Sequence, residues 1–283
     1  MPATALLLAV CPLPGKTMMM ITAPSDQPMP KDGPVVSPAA TVVVMRNAPG
    51  GGPPELLMVQ RAQAMRFAGG ATVFPGGRVD PADYELAERL APQQPPELAA
   101  ARVAAIRETL EETGLLIATH DPVSAADAAA ARALLLGSGR LDTVLERYGW
   151  TLDLDALCLF AHWCPALLPR AFDTRFFLTD LGTGAVDLQV DGTENARLFW
   201  VTAGTALDMA DRGEISVIFP TRRNLERLAL YESHAHALEQ IAAYPVVRIQ
   251  PVVQSRPDGD WLVFPEGLGY PVTGERVDTA KRG

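Results

Sequence analysis

The chain has 283 residues, of which 48% are hydrophobic and 20% charged, an ordinary balance for a globular protein with a sizeable core. Its formal net charge is -9 and its pI is near 5.0, so it offers no general electrostatic surface for nucleic acid or anionic membranes. We therefore expect a small-molecule partner, with no nucleic acid and no membrane bound. The sequence specifies no oligomeric state.

The cysteines and the N-terminal segment bear on the compartment. Cys11, Cys158 and Cys164 form no CxxC pair and indicate no disulfide framework, which favours a reducing compartment, and we predict a cytoplasmic protein. The apolar run that ends at Cys11 lacks a basic segment and is too short to span a bilayer. We expect residues 1–36 to be a flexible leader, residues 37–270 to form one domain, and residues 271–283 to be a flexible tail.

Strand and helix patterns alternate along the chain. The first two predicted strands are joined by a loop rich in Gly and Pro, and the predicted helices are rich in Ala, Leu, Arg and Glu. Strands are predicted at 40–45, 56–61, around 73, and at 157–163, 175–178, 198–201, 246–253 and 261–264. Helices are predicted at 97–113, at 121–145 with a break near 137–139, and at 222–243. This order suits a layered α/β fold with a mixed sheet.

The helix at 97–113 carries an unusual set of charges at its C-terminal end, where Arg107 is followed by Glu108, Glu111 and Glu112. The three carboxylates fall on one face, opposite an apolar stripe. A solvated acidic face is the ordinary explanation of such a pattern. However, Glu108 and Glu112 repel each other at i, i+4 by roughly 0.2–0.5 kcal/mol, and the helix dipole disfavours anions there by roughly 0.3–1 kcal/mol. A divalent cation such as Mg²⁺ or Mn²⁺ would remove both costs.

A glycine turn precedes this helix. The short β-prone run at 71–74 ends in Pro75, Gly76 and Gly77, and adjacent glycines let the backbone approach a ligand and present N–H groups to phosphate. Taken alone, such a turn is more often a hairpin than a binding loop.

Together the turn and the acidic helix resemble the box of the Nudix family, Gly-x5-Glu-x7-Arg-Glu-(apolar)-x-Glu-Glu-x-Gly-(apolar). Its second half is matched, with Thr109 at the first apolar position and Gly114 at the glycine. In the first half Gly77 fits, but Asp83 stands in place of glutamate, and the separation of Gly77 from Arg107 is 16 residues too long. The box is therefore split by an insertion at about 83–96, which costs little if it loops out over the surface. Asp83, Glu85 and Glu97 are candidates for the missing glutamate.

A split box of this type is similar to the Nudix branch of peroxisomal acyl-CoA diphosphatases and their bacterial relatives. Further segments that resemble this branch lie at 65–71, 161–163, 172–177, 191–194 and 219–221. The resemblance implies an α/β/α sandwich and hydrolysis of a nucleoside diphosphate derivative. CoA or acyl-CoA, yielding 3′,5′-ADP and (acyl-)phosphopantetheine, is the leading candidate. ADP-ribose, dinucleotides and NADH are alternative substrates, and a non-catalytic nucleotide sensor is an alternative of another class.

The resemblance also implies residue roles. Glu108, Glu111 and Glu112 would hold Mg²⁺ or Mn²⁺, Arg107 would orient these carboxylates, and Gly76 and Gly77 would bring the backbone to the site. Either Glu111 or Glu194 would act as the base, although Glu194 fits a surface carboxylate equally well. Arg61 and Arg66 could meet the substrate, or they could be solvated charges near a strand end. His162, in an apolar strand, fits a structural histidine better than a catalytic one.

Overall fold

The computed structural model describes residues 35–63, 69–165, 170–181 and 195–280. Strands β1 to β11 span Val35–Arg46, Glu55–Arg61, Thr72–Val73, Gly76–Arg78, Cys158–Trp163, Arg170–Asp180, Asn195–Thr202, Arg248–Ile249, Val252–Arg256, Gly259–Val263 and Gly274–Arg276. Helices α1 to α8 span Pro81–Leu90, Pro96–Thr113, Ala125–Ser138, Leu141–Tyr148, Ala203–Asp211, Phe219–Leu228, His234–Ala243 and Val277–Ala280.

A mixed sheet forms the centre of the fold. Among the described residues its order is β3-β2-β1-β6-β5-β8, with β4 also paired to β1 and β7 to β2. Strands β1 and β6 are parallel along their length, whereas β1 and β2 are antiparallel. Strands β9, β10 and β11 form a separate small antiparallel sheet. The mixed α/β class predicted from the sequence is confirmed.

Each face of the central sheet packs against a different set of helices. Because side chains alternate along a strand, Val42 and Val44 of β1 enter a core with α2, while Val43 and Met45 enter a core with α6 and α7. The result is an α/β/α sandwich. Among the described residues no helix is both long and apolar enough to cross a bilayer.

Helix α2 occupies the centre of one layer. Pro96 stands at its N-terminal end, and Gly114 ends it in a left-handed conformation, φ 74°, with its N–H bonded to the Leu110 carbonyl at 3.0 Å. The predicted helix is thus confirmed. Most of its residues are buried, including Arg107 and Glu112. Its acidic end is therefore not the solvated face that would be the ordinary explanation.

The insertion in the box is a helix, α1, which packs on α2 and does not loop out over the surface. Pro81 begins it, and Asp80 and Asp83 form a reciprocal capping box at its N-terminus. Leu86 and Ala87 are buried in the same core as α2. Local caps and apolar spacing therefore make the inserted segment part of the domain.

Several other expectations need correction. The helix predicted at 222–243 is two helices, α6 and α7, because the Ser233 side chain caps a new helix by accepting from the His236 N–H at 3.1 Å. The strand predicted at 246–253 is divided between β8 and β9 around Pro251, which lacks an N–H. The expected tail contains β11 and α8, since β11 pairs with β10. Of the expected leader, residues 35 and 36 begin β1, and the rest lies outside the described residues.

Candidate active site

Arg107 is the centre of the candidate site. Its side chain is 5% exposed, and its Nε and Nη2 donate to the two carboxylate oxygens of Asp83, each at 2.9 Å. Its Nη1 donates to Glu108 at 2.9 Å and to Glu111 at 3.3 Å. These carboxylates together raise the pKa of Arg107 against the opposing effect of burial, so the guanidinium stays charged. One buried cation thus positions two of the three box carboxylates.

Asp83 is the candidate that the structure brings to Arg107 from the first half of the box. It is 2% exposed, and its Oδ2 also accepts the Asp80 N–H at 2.8 Å. Glu85 instead pairs with Arg140 at 2.9 Å on the surface, and Glu97 lies in the first turn of α2, far along the helix. The insertion therefore supplies, through the start of α1, the carboxylate that holds Arg107.

The glycine turn lies directly against the carboxylates. The Gly76 N–H donates to Glu112 Oε2 at 3.0 Å, and Gly76 has φ 153°, with the Ala40 carbonyl where a Cβ would stand. At Gly77 a Cβ would collide with the Glu108 carboxylate. Gly76 is required by its backbone, and a side chain at position 77 would push the Glu108 carboxylate aside, so the two glycines let β4 contact two acidic side chains of α2.

Burial changes the acidity of these carboxylates. Burial raises the pKa of Glu112 to about 8, and repulsion by Glu108 adds to the rise, while the Gly76 N–H and Arg61 oppose it. Burial likewise raises the pKa of Glu108 to about 7 against the effect of Arg107. The pKa of Glu111 is also raised, again mainly by burial. The ionised forms of these groups lack sufficient positive charge around them.

A divalent cation would supply the positive charge that these carboxylates lack, although their oxygens do not surround one common position. Arg107 holds Glu108 and Glu111 towards itself, and among the described residues no three His, Cys, Asp or Glu side chains are arranged as ligands of one ion. Nevertheless, the partly buried Glu108 and the buried Glu112 are mutually repelling oxygen donors, which is the chemistry that hard cations such as Mg²⁺ prefer.

Two side chains of the central sheet join the site beside Glu112. Arg61 ends β2 opposite Asn195 of β7, where the register shifts between Gln60 and Arg61. The Arg61 charge and a hydrogen bond from the Asn195 side chain both lower the pKa of Glu112. Arg61 Nε is buried and has no hydrogen-bond partner in the described parts of the chain. Glu194 and Arg66, which were singled out with Arg61, lie outside the described residues.

Sequence reasoning missed Asn195 and Arg132. Arg132 of α3 is 7% exposed and donates through Nε to the Glu111 carbonyl at 2.8 Å and through Nη2 to the Glu112 carbonyl at 3.4 Å. It thus caps the end of α2 on which the carboxylates lie. No motif marks either residue, since both reach the site through tertiary packing.

His162 lies outside this cluster. Its Nε2 is 2.7 Å from Asp173 Oδ1 on the adjacent strand β6. That contact agrees with the structural role expected for a histidine in an apolar strand.

The sandwich fold and this site together define a class of protein. Buried oxygen donors at one helix end, an arginine among them and a glycine turn against them are the parts of a hydrolase that acts on phosphorus-containing anhydrides.

Comparisons with known proteins specify the family. The family model described as NUDIX domain matches residues 36–132. The crystal structure of a NUDIX hydrolase from Alicyclobacillus acidocaldarius is similar with a TM-score of 0.63 and 31% identity, covering 73% of this chain and 96% of that chain. The acyl-coenzyme A diphosphatase NUDT19 of Gallus gallus is 28% identical over 315 residues, 85% of this chain and 82% of the relative. The chain belongs to the Nudix hydrolase family, whose members generally use divalent metals.

Proposed function

We propose that this Nudix hydrolase cleaves the diphosphate of CoA or acyl-CoA, releasing 3′,5′-ADP and (acyl-)phosphopantetheine. The pair of buried carboxylates Glu108 and Glu112 carries the hydrolytic part of the proposal, because their raised pKa values mark a site that needs a cation. The substrate rests on the resemblance of the split box to the acyl-CoA diphosphatase branch and on the similarity to the Gallus gallus relative. The three cysteines without a disulfide framework favour a cytoplasmic enzyme.

In this proposal Glu108, Glu111 and Glu112 would hold Mg²⁺ or Mn²⁺. The ion, when bound, would supply positive charge to the diphosphate and acidify water. Arg107, anchored on Asp83, keeps Glu108 and Glu111 in register along α2. Arg61, whose Nε has no hydrogen-bond partner among the described residues, would bind a phosphate oxygen, and Arg66 would assist it.

Glu111 is our candidate for the general base, with Glu194 as the alternative. Its side chain is 22% exposed, more than the 16% of Glu108, and burial raises its pKa, which makes the carboxylate a stronger base. From this position the carboxylate would take a proton from the water that attacks phosphorus. The phosphorus–oxygen anhydride bond then breaks.

The test is turnover of a substrate panel by wild type, Glu111→Gln and Glu194→Gln, with Mg²⁺ or Mn²⁺ supplied. We expect CoA or acyl-CoA to give 3′,5′-ADP, detected by chromatography, and the variant that lacks the base to lose roughly 10²–10⁴-fold in kcat. Glu88→Gln, at an exposed position of α1, is the matched control and should retain full activity.

Other outcomes separate the alternatives. Faster cleavage of ADP-ribose, a dinucleotide or NADH than of CoA would reject CoA as the substrate but would still agree with a hydrolase. Binding of nucleotide without any metal-dependent cleavage would favour the sensor and reject the hydrolase.

A further inference from the structure

Arg175 is a charged residue in the interior of a central strand. It lies on β6, which has β1 on one side and β5 on the other, and it is partly exposed. Because side chains alternate along a strand, Arg175 lies on the α2 face of the sheet with Phe177, whereas Phe176 between them belongs to the core with α6. An arginine is unusual there, since charged side chains are seldom placed among the packed residues of a sheet.

The strand register brings Arg175 into line with the candidate active site. Arg175 pairs with Ala40 of β1, and Ala40 pairs on its other side with Gly77 of β4. Ala40 lies in the core with α2, and a Cβ on Gly77 would meet the Glu108 carboxylate of α2, so the whole row is on one face. With neighbouring strands about 4.8 Å apart, the Cα atoms of Arg175 and Gly77 are separated by roughly 10 Å.

The charge of Arg175 is not used within the protein. Among the described residues its side chain forms no ion pair and no hydrogen bond, although Asp173 lies two positions away on the same face. The Asp173 Oδ1 is instead 2.7 Å from His162 Nε2 and 3.0 Å from Arg248 Nε. This neighbouring carboxylate is thus engaged by other groups. Arg175, which is not fully buried, is available to an anion from solution.

The position of Arg175 fits a second phosphate group of the substrate. A guanidinium can donate two parallel hydrogen bonds to the oxygens of a phosphate monoester. Arg61, which we assign to the diphosphate, lies on β2 on one side of β1, and Arg175 lies on the other side. CoA carries a 3′-phosphate on the same ribose as its 5′-diphosphate, whereas ADP-ribose and NADH lack this group.

We propose that Arg175 binds the 3′-phosphate of CoA and so determines specificity for CoA over nucleoside diphosphates without that group. The identity of the substrate rests on the proposed function. Two phosphates on one ribose need binding groups that lie close together, as the register places Gly77 and Arg175. Because the 3′-phosphate takes no part in breaking the diphosphate, Arg175 acts on substrate binding and not on the chemical step.

The first test compares 3′,5′-ADP with 5′-AMP, which differ only in the 3′-phosphate, by titration calorimetry. We expect the wild type to bind 3′,5′-ADP roughly 10–100-fold more tightly, as a hydrogen-bonded charge pair allows. Arg175→Met should bind both ligands as the wild type binds 5′-AMP. Arg256→Met, at an exposed position of β9, is the control and should keep the preference. Equal binding of the two ligands by the wild type, or a preference that survives in Arg175→Met, would overturn the proposal.

Turnover separates this inference from the proposed function. With Mg²⁺ supplied, the wild type should have a KM for CoA roughly 10–100-fold below that for 3′-dephospho-CoA, and Arg175→Met should remove the difference with kcat almost unchanged. Equal kcat/KM for the two substrates in the wild type would reject the 3′-phosphate site and retain the hydrolase. Cleavage of neither would reject the proposed function, and the calorimetric comparison would still decide the role of Arg175.

Discussion

The two faces of the central sheet bury charges of opposite sign. On the α2 face, Glu108 and Glu112 are buried acids with less positive charge around them than they need. On the α6 face, Arg227 is a buried cation without a carboxylate. Burial of an ion with an incomplete set of partners is costly. The α2 face is therefore the one on which we propose a divalent cation.

Within each face an arginine with carboxylate partners lies close to the incomplete site. Arg107 has Asp83 in a bidentate contact, and Arg223 has Glu226 and Glu275. These ion pairs connect separate elements of the fold, whereas Glu112 forms no ion pair among the described residues and accepts only neutral hydrogen bonds such as that from Gly76. Substituting the ion-paired Asp83 and substituting Glu112 should therefore have different effects on stability and on metal binding.

The largest effect is expected from Asp83→Ala, which removes the carboxylate that anchors Arg107. Asp83 and Arg107 are both buried, so the substitution leaves a poorly compensated guanidinium and should lower the free energy of unfolding by about 3–5 kcal/mol. Urea denaturation of the metal-free protein measures this loss. The control is Glu85→Ala, two residues away, because its exposed pair with Arg140 should contribute at most about 1 kcal/mol. Equal effects of the two substitutions would show that Asp83 is not the anchor.

The next largest effect is expected from Glu112→Gln, which replaces the carboxylate by a neutral amide of almost the same shape. Groups that merely orient metal ligands typically cost roughly 10–100-fold in affinity when changed, so loss of a ligand should weaken Mn²⁺ binding by at least about 100-fold. Titration calorimetry measures the affinity. Because the glutamine carbonyl can still accept the Gly76 N–H, the metal-free variant should be at least as stable as the wild type. A destabilised variant with unchanged Mn²⁺ affinity would assign Glu112 a structural role alone.

The sequence was informative where local chemistry determines structure. The box helix with its Gly114 cap, the divided helix at 121–145 and the mixed α/β class all follow from propensity, caps and periodicity, and the structure confirms them. Prediction failed at 222–243, where helical propensity continues through a break that the Ser233 cap and the buried Tyr231 impose. Tertiary packing overrides propensity there.

The candidate site was predictable only for residues within the motif. Spacing brought Arg107 and its neighbouring glutamates together, but it could not choose among Asp83, Glu85 and Glu97, because the inserted helix determines which of them reaches α2. Contacts from β7 and α3 to the site carry no local signal at all. The unpaired state of Arg227 is equally invisible in the sequence, since it depends on what surrounds a buried side chain.

The smallest effect is a dependence of stability on pH to which Glu112 of the α2 face should contribute. The pKa of Glu112 is raised by burial from its ordinary value of 4.5 to about 8, so between these values the folded chain retains a proton that the unfolded chain releases. Stability of the metal-free protein should therefore fall as pH rises, by up to about 1.4 kcal/mol per pH unit, and should level off above the folded pKa. Denaturation in EDTA between pH 6 and pH 8 measures the slope. Glu112→Gln should reduce it and leave the part that comes from Glu108, whose pKa is raised to about 7. Saturating Mg²⁺ should reduce it by favouring the ionised carboxylates, and Arg227→Met should leave it unchanged, because a guanidinium does not titrate in this range. A slope between pH 7 and pH 8 that is unchanged in Glu112→Gln would mean that Glu112 is not the group that titrates.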